Sequence, residues 1–124
     1  TMVITADTIV LLEGKVLGKP VDKEDARKML RHLSGKTHQV ITGVCITTKN
    51  RRRTFHTVSE VRFAHLNEAE IDYYLEHYSP YDKAGSYGVQ EWIGFIAVEQ
   101  ITGSYFNVMG LPVQRLYNEL KRWL

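Results

Sequence analysis

The chain has 124 residues, 44% of them hydrophobic and 24% charged, with 16 basic against 14 acidic residues for a formal net charge of +2. That balance excludes disordered, collagen-like and membrane-embedded classes and argues for one globular domain, 1–124, able to bury roughly two thirds of the surface its unfolded chain exposes. The single Cys45 cannot make an internal bridge, no segment approaches the roughly 18 apolar residues of a membrane span, and without a charged-then-apolar leader the chain reads as a reduced, cytoplasmic protein.

Val3 to Leu12 is rich in Val, Ile and Leu and reads as a strand, interrupted or bent near Asp7-Thr8. Glu13-Gly14-Lys15 turns the chain, Val16 and Leu17 give a short return strand, and Gly18-Lys19-Pro20 marks a loop. Asp22 suits an N-cap, Glu24 and Asp25 load the first turn, and Ala26, Met29, Leu30 and Leu33 follow at helical spacing up to Ser34-Gly35. Alternation from Thr37 to Thr48 and again from Thr54 to Leu66 predicts a long antiparallel hairpin with Asn50 near its tip. Asn67 caps a second helix carrying Ile71, Tyr74, Leu75 and Tyr78 on one face, and Pro80 stops it. Trp92 to Ile101 reads as a further strand ended by Gly103-Ser104. A last helix starts at Pro112, with Val113, Leu116, Tyr117, Leu120 and Trp123 as its apolar stripe. The expected fold is therefore α/β: a mixed, twisted sheet with flanking helices.

No phosphate loop of the Gly-x-x-x-x-Gly-Lys type, no Gly-x-Gly-x-x-Gly, no His-Glu-x-x-His and no Gly-x-Ser-x-Gly elbow is present. The five histidines lack metal-ligand spacing, and Cys45 within a strand pattern reads as a small apolar residue. Lys49 to Arg53 is the one basic block and reads as a solvated hairpin, with a phosphate contact as the rival reading.

Five short segments carry polar residues where a core does not ask for them. They are Thr5-Ala6-Asp7-Thr8, Leu17-Gly18-Lys19-Pro20, Leu33 to His38, Asp82 to Gln90, and Gly103 to Pro112. In this order and spacing they resemble the Maf family, a branch of the inosine-triphosphatase-like superfamily whose members hydrolyse nucleoside triphosphates to the monophosphate and pyrophosphate. The resemblance covers the whole chain. It implies that Asp7 is the general base and metal ligand, that the cofactor is a divalent cation (Mg or Mn), and that Lys19 and Lys83 contact the phosphates. Thr8 and Gln90 match the positions that carry Thr and Gln in members acting on dTTP and UTP. It further implies a homodimer and a nucleoside triphosphate as the substrate, while the short apolar runs argue against a membrane partner and the solvated-hairpin reading of Lys49 to Arg53 against a nucleic-acid partner.

Elementary chemistry bears on the same residues. A carboxylate within an apolar strand is costly unless it binds a cation or accepts hydrogen bonds, with a turn-forming Asp at a strand bend as the rival reading. Lys19 and Lys83 suit developing phosphate charge but read alone as loop lysines. The Gln90 amide offers a donor and an acceptor, which matches the imide edge of uracil or thymine, while a lone Gln is also an ordinary surface residue. Family members begin with an extra strand and a Ser-x-x-Arg-Arg loop, and carry a Glu and a Lys that line the site; none of these precedes Thr1. The chain thus resembles the C-terminal portion of a Maf protein, with an apolar edge or face expected to seek cover. Two alternatives stand beside the enzyme: an impaired nucleotide-binding or self-associating fragment, and a nucleic-acid module built on Lys49 to Arg53.

Overall fold

The computed structural model describes residues 1–123. Five strands form one sheet in the order β2-β1-β3-β4-β5, with β1 at Val3–Leu12, β2 at Lys15–Leu17, β3 at Thr37–Thr47, β4 at Arg52–Phe63 and β5 at Val98–Thr102. Every pairing among the described residues is antiparallel. The helices are α1 (Lys23–Leu33), α2 (Glu68–His77), α3 (Trp92–Ala97), α4 (Tyr105–Met109) and α5 (Val113–Lys121). Two short 3-10 turns, Pro80–Asp82 and Ala84–Ser86, sit between α2 and α3. This is the mixed α/β architecture expected.

Alternation along β3 decides which face is covered. His38, Val40, Thr42, Val44 and Ile46 are buried, while the residues between them are half-buried or exposed. Val40, Val61 and Phe63 share one core cluster with Leu30 and Leu33 of α1, Ile71 and Tyr74 of α2, and Ile93 of α3. Val44, Ile46 and Phe55 form a second cluster with Leu116 of α5. The opposite face leaves Ile9 and Ile41 half-buried and Val58 exposed.

The strand β1 is not bent at Asp7-Thr8. Its ladder with β3 runs from Val3 opposite Thr47 to Leu11 opposite Gln39 without a shift, because Val3, Ile4 and Ile9 continue the β-branched pattern through the polar pair. On its other side β1 meets β2 only at Val10, Leu11 and Leu12. The stretch from Val3 to Ile9 therefore has no strand on that side among the described residues, and Val3 and Ile4 are exposed there.

Two element assignments change. Trp92 to Ala97 is a helix, and only Val98–Thr102 is strand. Strand alternation would put Ile93, Phe95 and Ala97 on one face. Instead Ile93 and Ala97, four apart, are fully buried while Phe95 is 81% exposed, which is helical spacing. The second change is α4, which begins at the Ser104 N-cap, whose side chain accepts from Asn107 N. In α5 only part of the anticipated stripe is covered: Leu116 is buried, whereas Val113 and Tyr117 face solvent.

The basic block is the exposed hairpin tip expected, Lys49 to Arg53 all being exposed where β3 turns into β4, and two of its arginines also hold partners. Arg53 lies within β4 and donates to the buried Glu119 at 2.9 Å, and the Arg51 guanidinium stands 4.2 Å from the Trp123 ring centroid. Both attach α5 to the hairpin, since an arginine stem covers apolar surface while its head pairs.

The N-terminus of α2 carries a full capping box: Asn67 Oδ1 accepts from Glu70 N at 2.8 Å, and Glu70 Oε1 accepts from Asn67 N at 2.9 Å. Asn67→Ala is expected to cost about 1 kcal/mol and to lower the thermal midpoint by roughly 3–5 °C. A calorimetric scan checks this, and an unchanged midpoint would show that water replaces the cap without loss.

Candidate functional site

The short loop after β2 brings Lys19 to the middle of β1, where Asp7 and Thr8 lie, and Pro20 after it is buried. Across from it the turn Pro80–Ser86 carries Asp82 and Lys83. The two segments are tied together by a main-chain bond, Gly85 N donating to Gly18 O at 3.1 Å. Gly85 has φ +73, and a β-carbon there would lie 2.9 Å from a methyl of Val10, so the turn sits against the sheet only because the residue is glycine. Lys83 Nζ donates to Asp82 Oδ1 at 3.2 Å and holds that carboxyl below its ordinary range.

A cleft of about 300 Å³ opens between these loops, β1 and the end of α4. Its walls include Asp7, Thr8, Lys19, Lys83 and Gln90, so all five residues singled out in the sequence border one space. Asp7 and Thr8 are neighbours on a strand and point to opposite faces. Both border the cleft because it opens along the part of β1 that β2 leaves uncovered. Asp7, Lys19 and Gln90 are exposed; Thr8 and Lys83 are half-buried.

The wall opposite β1 is held from below by a buried phenol. Tyr74 of α2 donates to Glu91 Oε1 at 2.7 Å and accepts from Gly88 N at 3.3 Å, which fixes the stretch leading to Gln90. Burial first, and then the Glu91 carboxylate, push the Tyr74 hydroxyl well above its usual range, so it stays a donor. Tyr87 lines the cleft and binds the buried His38 Nε2 through its hydroxyl at 2.7 Å. Beneath Thr8 lies a polar cluster: Thr8 Oγ1 is 2.9 Å from Thr42 Oγ1, and Thr42 donates to the Asn107 carbonyl at 3.1 Å.

Sequence reasoning placed the segments 82–90 and 103–112 at the site but did not single out Asp82, Tyr87, Met109 or Gly110, all of which line the cleft. Tyr74 carried no signal, since it is one member of an apolar helical stripe. No group of three or more His, Cys, Asp or Glu side chains that could hold a metal ion is found among the described residues. No helix among them is long and apolar enough to cross a membrane.

The sequence profile of the family described as Maf-like protein matches residues 1–123. The chain belongs to the Maf family. Its curated relatives include proteins named dTTP/UTP pyrophosphatase from Bacteroides fragilis strain YCH46 and from Phocaeicola vulgatus, each 68% identical over 121 residues, and one from Porphyromonas gingivalis strain W83 at 64% over 121 residues. These alignments cover 98% of the chain but 63%, 63% and 61% of the respective relatives, so the chain spans somewhat under two thirds of their length. Within the Maf family, then, this sequence supplies the β1 corner, both lysine loops and the α4 wall of one cleft.

Proposed function

We propose that the cleft binds a pyrimidine nucleoside triphosphate and belongs to a pyrophosphatase that converts dTTP and UTP to the monophosphate and pyrophosphate. The observation that carries this reading is the gathering of Asp7, Thr8, Lys19, Lys83 and Gln90, from three stretches of the chain, around one 300 Å³ space. Relatives that bear the name dTTP/UTP pyrophosphatase share 64–68% of their aligned residues with it.

In this reading water attacks the α-phosphorus, the bond to the α–β bridging oxygen breaks, and pyrophosphate leaves with the electron pair. Asp7 is the base that takes the proton from the attacking water. Lys19 and Lys83, on loops joined by the Gly85–Gly18 bond, neutralise charge as it grows on the leaving phosphates. Thr8 and Gln90 meet the base. An exposed carboxylate with substrate oxygens nearby suits Mg or Mn, which keep waters and use one or two carboxylates rather than a protein cage. Such an ion, held by Asp7 and the phosphates, would supply further positive charge at the reacting phosphate. The protein is expected to work in the cytoplasm as a homodimer.

Pyrophosphate release with Mg or Mn from UTP, dTTP, CTP and GTP tests the reading. UTP and dTTP are expected to be preferred, and Asp7→Asn to lower turnover at least about tenfold. A preference for GTP would overturn the assigned specificity, and equal activity of Asp7→Asn would overturn the assigned base. Nucleotide binding without turnover would favour the impaired fragment.

A further inference from the structure

The cluster beneath Thr8 fixes the direction of its hydroxyl proton. Asn107 is fully buried and its side-chain nitrogen contacts Val40 O at 3.2 Å, Thr57 O at 3.0 Å and Ser59 Oγ at 3.0 Å. Two of these are carbonyl oxygens that can only accept, so the amide cannot be flipped. Asn107 thereby clamps α4 to β3 and β4 and holds its own main-chain carbonyl against Thr42. That carbonyl can only accept, so Thr42 donates to it at 3.1 Å.

A threonine hydroxyl has one proton. With the Thr42 proton committed to Asn107 O, the 2.9 Å contact between Thr42 and Thr8 is a hydrogen bond only if Thr8 donates. The reverse assignment, Thr42 donating to Thr8, makes one bond where this one makes two, in a place where Thr42 is fully buried and no solvent can compensate. The Thr8 proton therefore points inward, and only lone pairs face the cleft. A β-carbon on Gly110, which also lines the cleft, would come 3.7 Å from Thr8 Oγ1, so the oxygen lies at the wall itself.

We propose that Thr42 and Asn107 are positioning residues that make Thr8 a pure hydrogen-bond acceptor, and that the cleft thereby selects a pyrimidine bearing N–H at ring position 3. The inference rests on the nucleotide reading of the cleft. Uracil and thymine present a donor at that ring position; cytosine presents a lone pair and meets Thr8 acceptor to acceptor. The Gln90 amide can turn to suit either edge, so the fixed polarity of Thr8 is what separates them.

The test is the ratio of kcat/KM for UTP over CTP in the intact protein with Mg, together with binding of both nucleotides. Thr42→Val removes the acceptor for the Thr8 proton, frees that hydroxyl to donate, and is expected to lower the UTP/CTP ratio by about fivefold or more. Thr42→Ser is expected to keep the parent ratio. Thr8→Val is expected to lower the ratio as well, and the Thr8→Val, Thr42→Val double variant to add nothing further, which a merely structural Thr42 would not produce. If Thr42→Val does not fold, Thr42→Cys takes its place, since a thiol is a poor hydrogen-bond partner. A ratio within twofold of the parent in a folded variant that still turns over UTP overturns this inference alone. Failure of the parent to bind or hydrolyse either nucleotide overturns the reading of the cleft, and this inference with it.

Discussion

Gly94→Ala is expected to destabilise the protein by at least about 3 kcal/mol, lowering the thermal midpoint by roughly 10 °C or more, and to displace the wall of the cleft that carries Gln90. Gly94 lies in the first turn of a helix, and within helices alanine is ordinarily favoured over glycine by about 1 kcal/mol. The sign is reversed by the neighbours. A β-carbon at Gly94 would stand 1.8 Å from the Val89 carbonyl oxygen and 2.6 Å from its carbonyl carbon, which are main-chain atoms and not the tip of a flexible side chain. Relief requires either α3 or the 88–90 stretch to move by more than 1 Å, as ordinary contact needs about 3.5 Å. Neither moves cheaply: Ile93 and Ala97 seat α3 in the core, and Tyr74 grips Gly88 and Glu91 on the other side. Gly43→Ala is the control, since nothing lies within 4 Å of the carbon it adds, and is expected to stay near the parent midpoint. A Gly94→Ala midpoint within about 2 °C of the parent would show that the Val89 main chain yields freely, contrary to this account.

The same contact explains why the segment from Trp92 was hard to read. Its composition, Trp-Ile-Gly-Phe-Ile-Ala-Val, carries β-branched and aromatic residues that fit a strand, and its central glycine argues against a helix. The glycine is required for close approach to Val89, a tertiary cause that no periodicity records. By contrast α1 and α2 were legible because caps and apolar spacing agree: Asp22 accepts from Asp25 N, Asn67 forms its capping box, and Ala26, Leu30 and Leu33 fall on one buried face. Agreement between local signals and tertiary demand is what makes an element readable.

For the cleft, the five residues singled out in the sequence lie around one space, and their order along the chain was the signal. What remained hidden was the support. Thr42 and Ser59 read as alternate members of strands, and Tyr74 as core. Only the register of β3 against β4, Thr42 opposite Thr57 and Val40 opposite Ser59, brings the hydroxyls and carbonyls under Asn107. The Lys49 to Arg53 block is the exposed hairpin tip its sequence suggested, and what stayed hidden was the pairing of its arginines. Two of its arginines are committed to Glu119 and Trp123, whose contact with the hairpin follows from α5 docking some 60 residues later.

Acidification from pH 7.5 to 5 is expected to lower the unfolding free energy by about 2 kcal/mol through His38, rising to about 3 kcal/mol by pH 4. His38 is 1% exposed, edge-on to the rings of Phe63 and Tyr87, and its Nδ1 has no hydrogen-bond partner. Burial without a carboxylate to stabilise the cation holds the imidazole down to about 4, against 6.5 in the unfolded chain. The folded value is the lower one, so below pH 6.5 the unfolded state binds a proton that the native state refuses, and stability falls until the native imidazole also titrates near pH 4. The carboxyls whose values are lowered by ion pairs, such as Glu119 beside Arg53, act in the opposite sense to a raised group but lose their contribution only as pH falls below about 4.5. The interval from 7.5 to 5 therefore isolates the histidine from them. Urea denaturation at pH 7.5, 6.5, 5.5 and 5 reads the slope, and His38→Gln, which cannot titrate, is expected to flatten it. An equal slope in His38→Gln would assign the loss to other groups. His38 Nε2 holds the Tyr87 hydroxyl and Tyr87 lines the cleft, so the group that resists protonation lies directly behind the cleft wall. In the reading proposed above, nucleotide in that cleft would stabilise only the native state, so a saturating concentration is expected to raise the whole curve while leaving its slope in place.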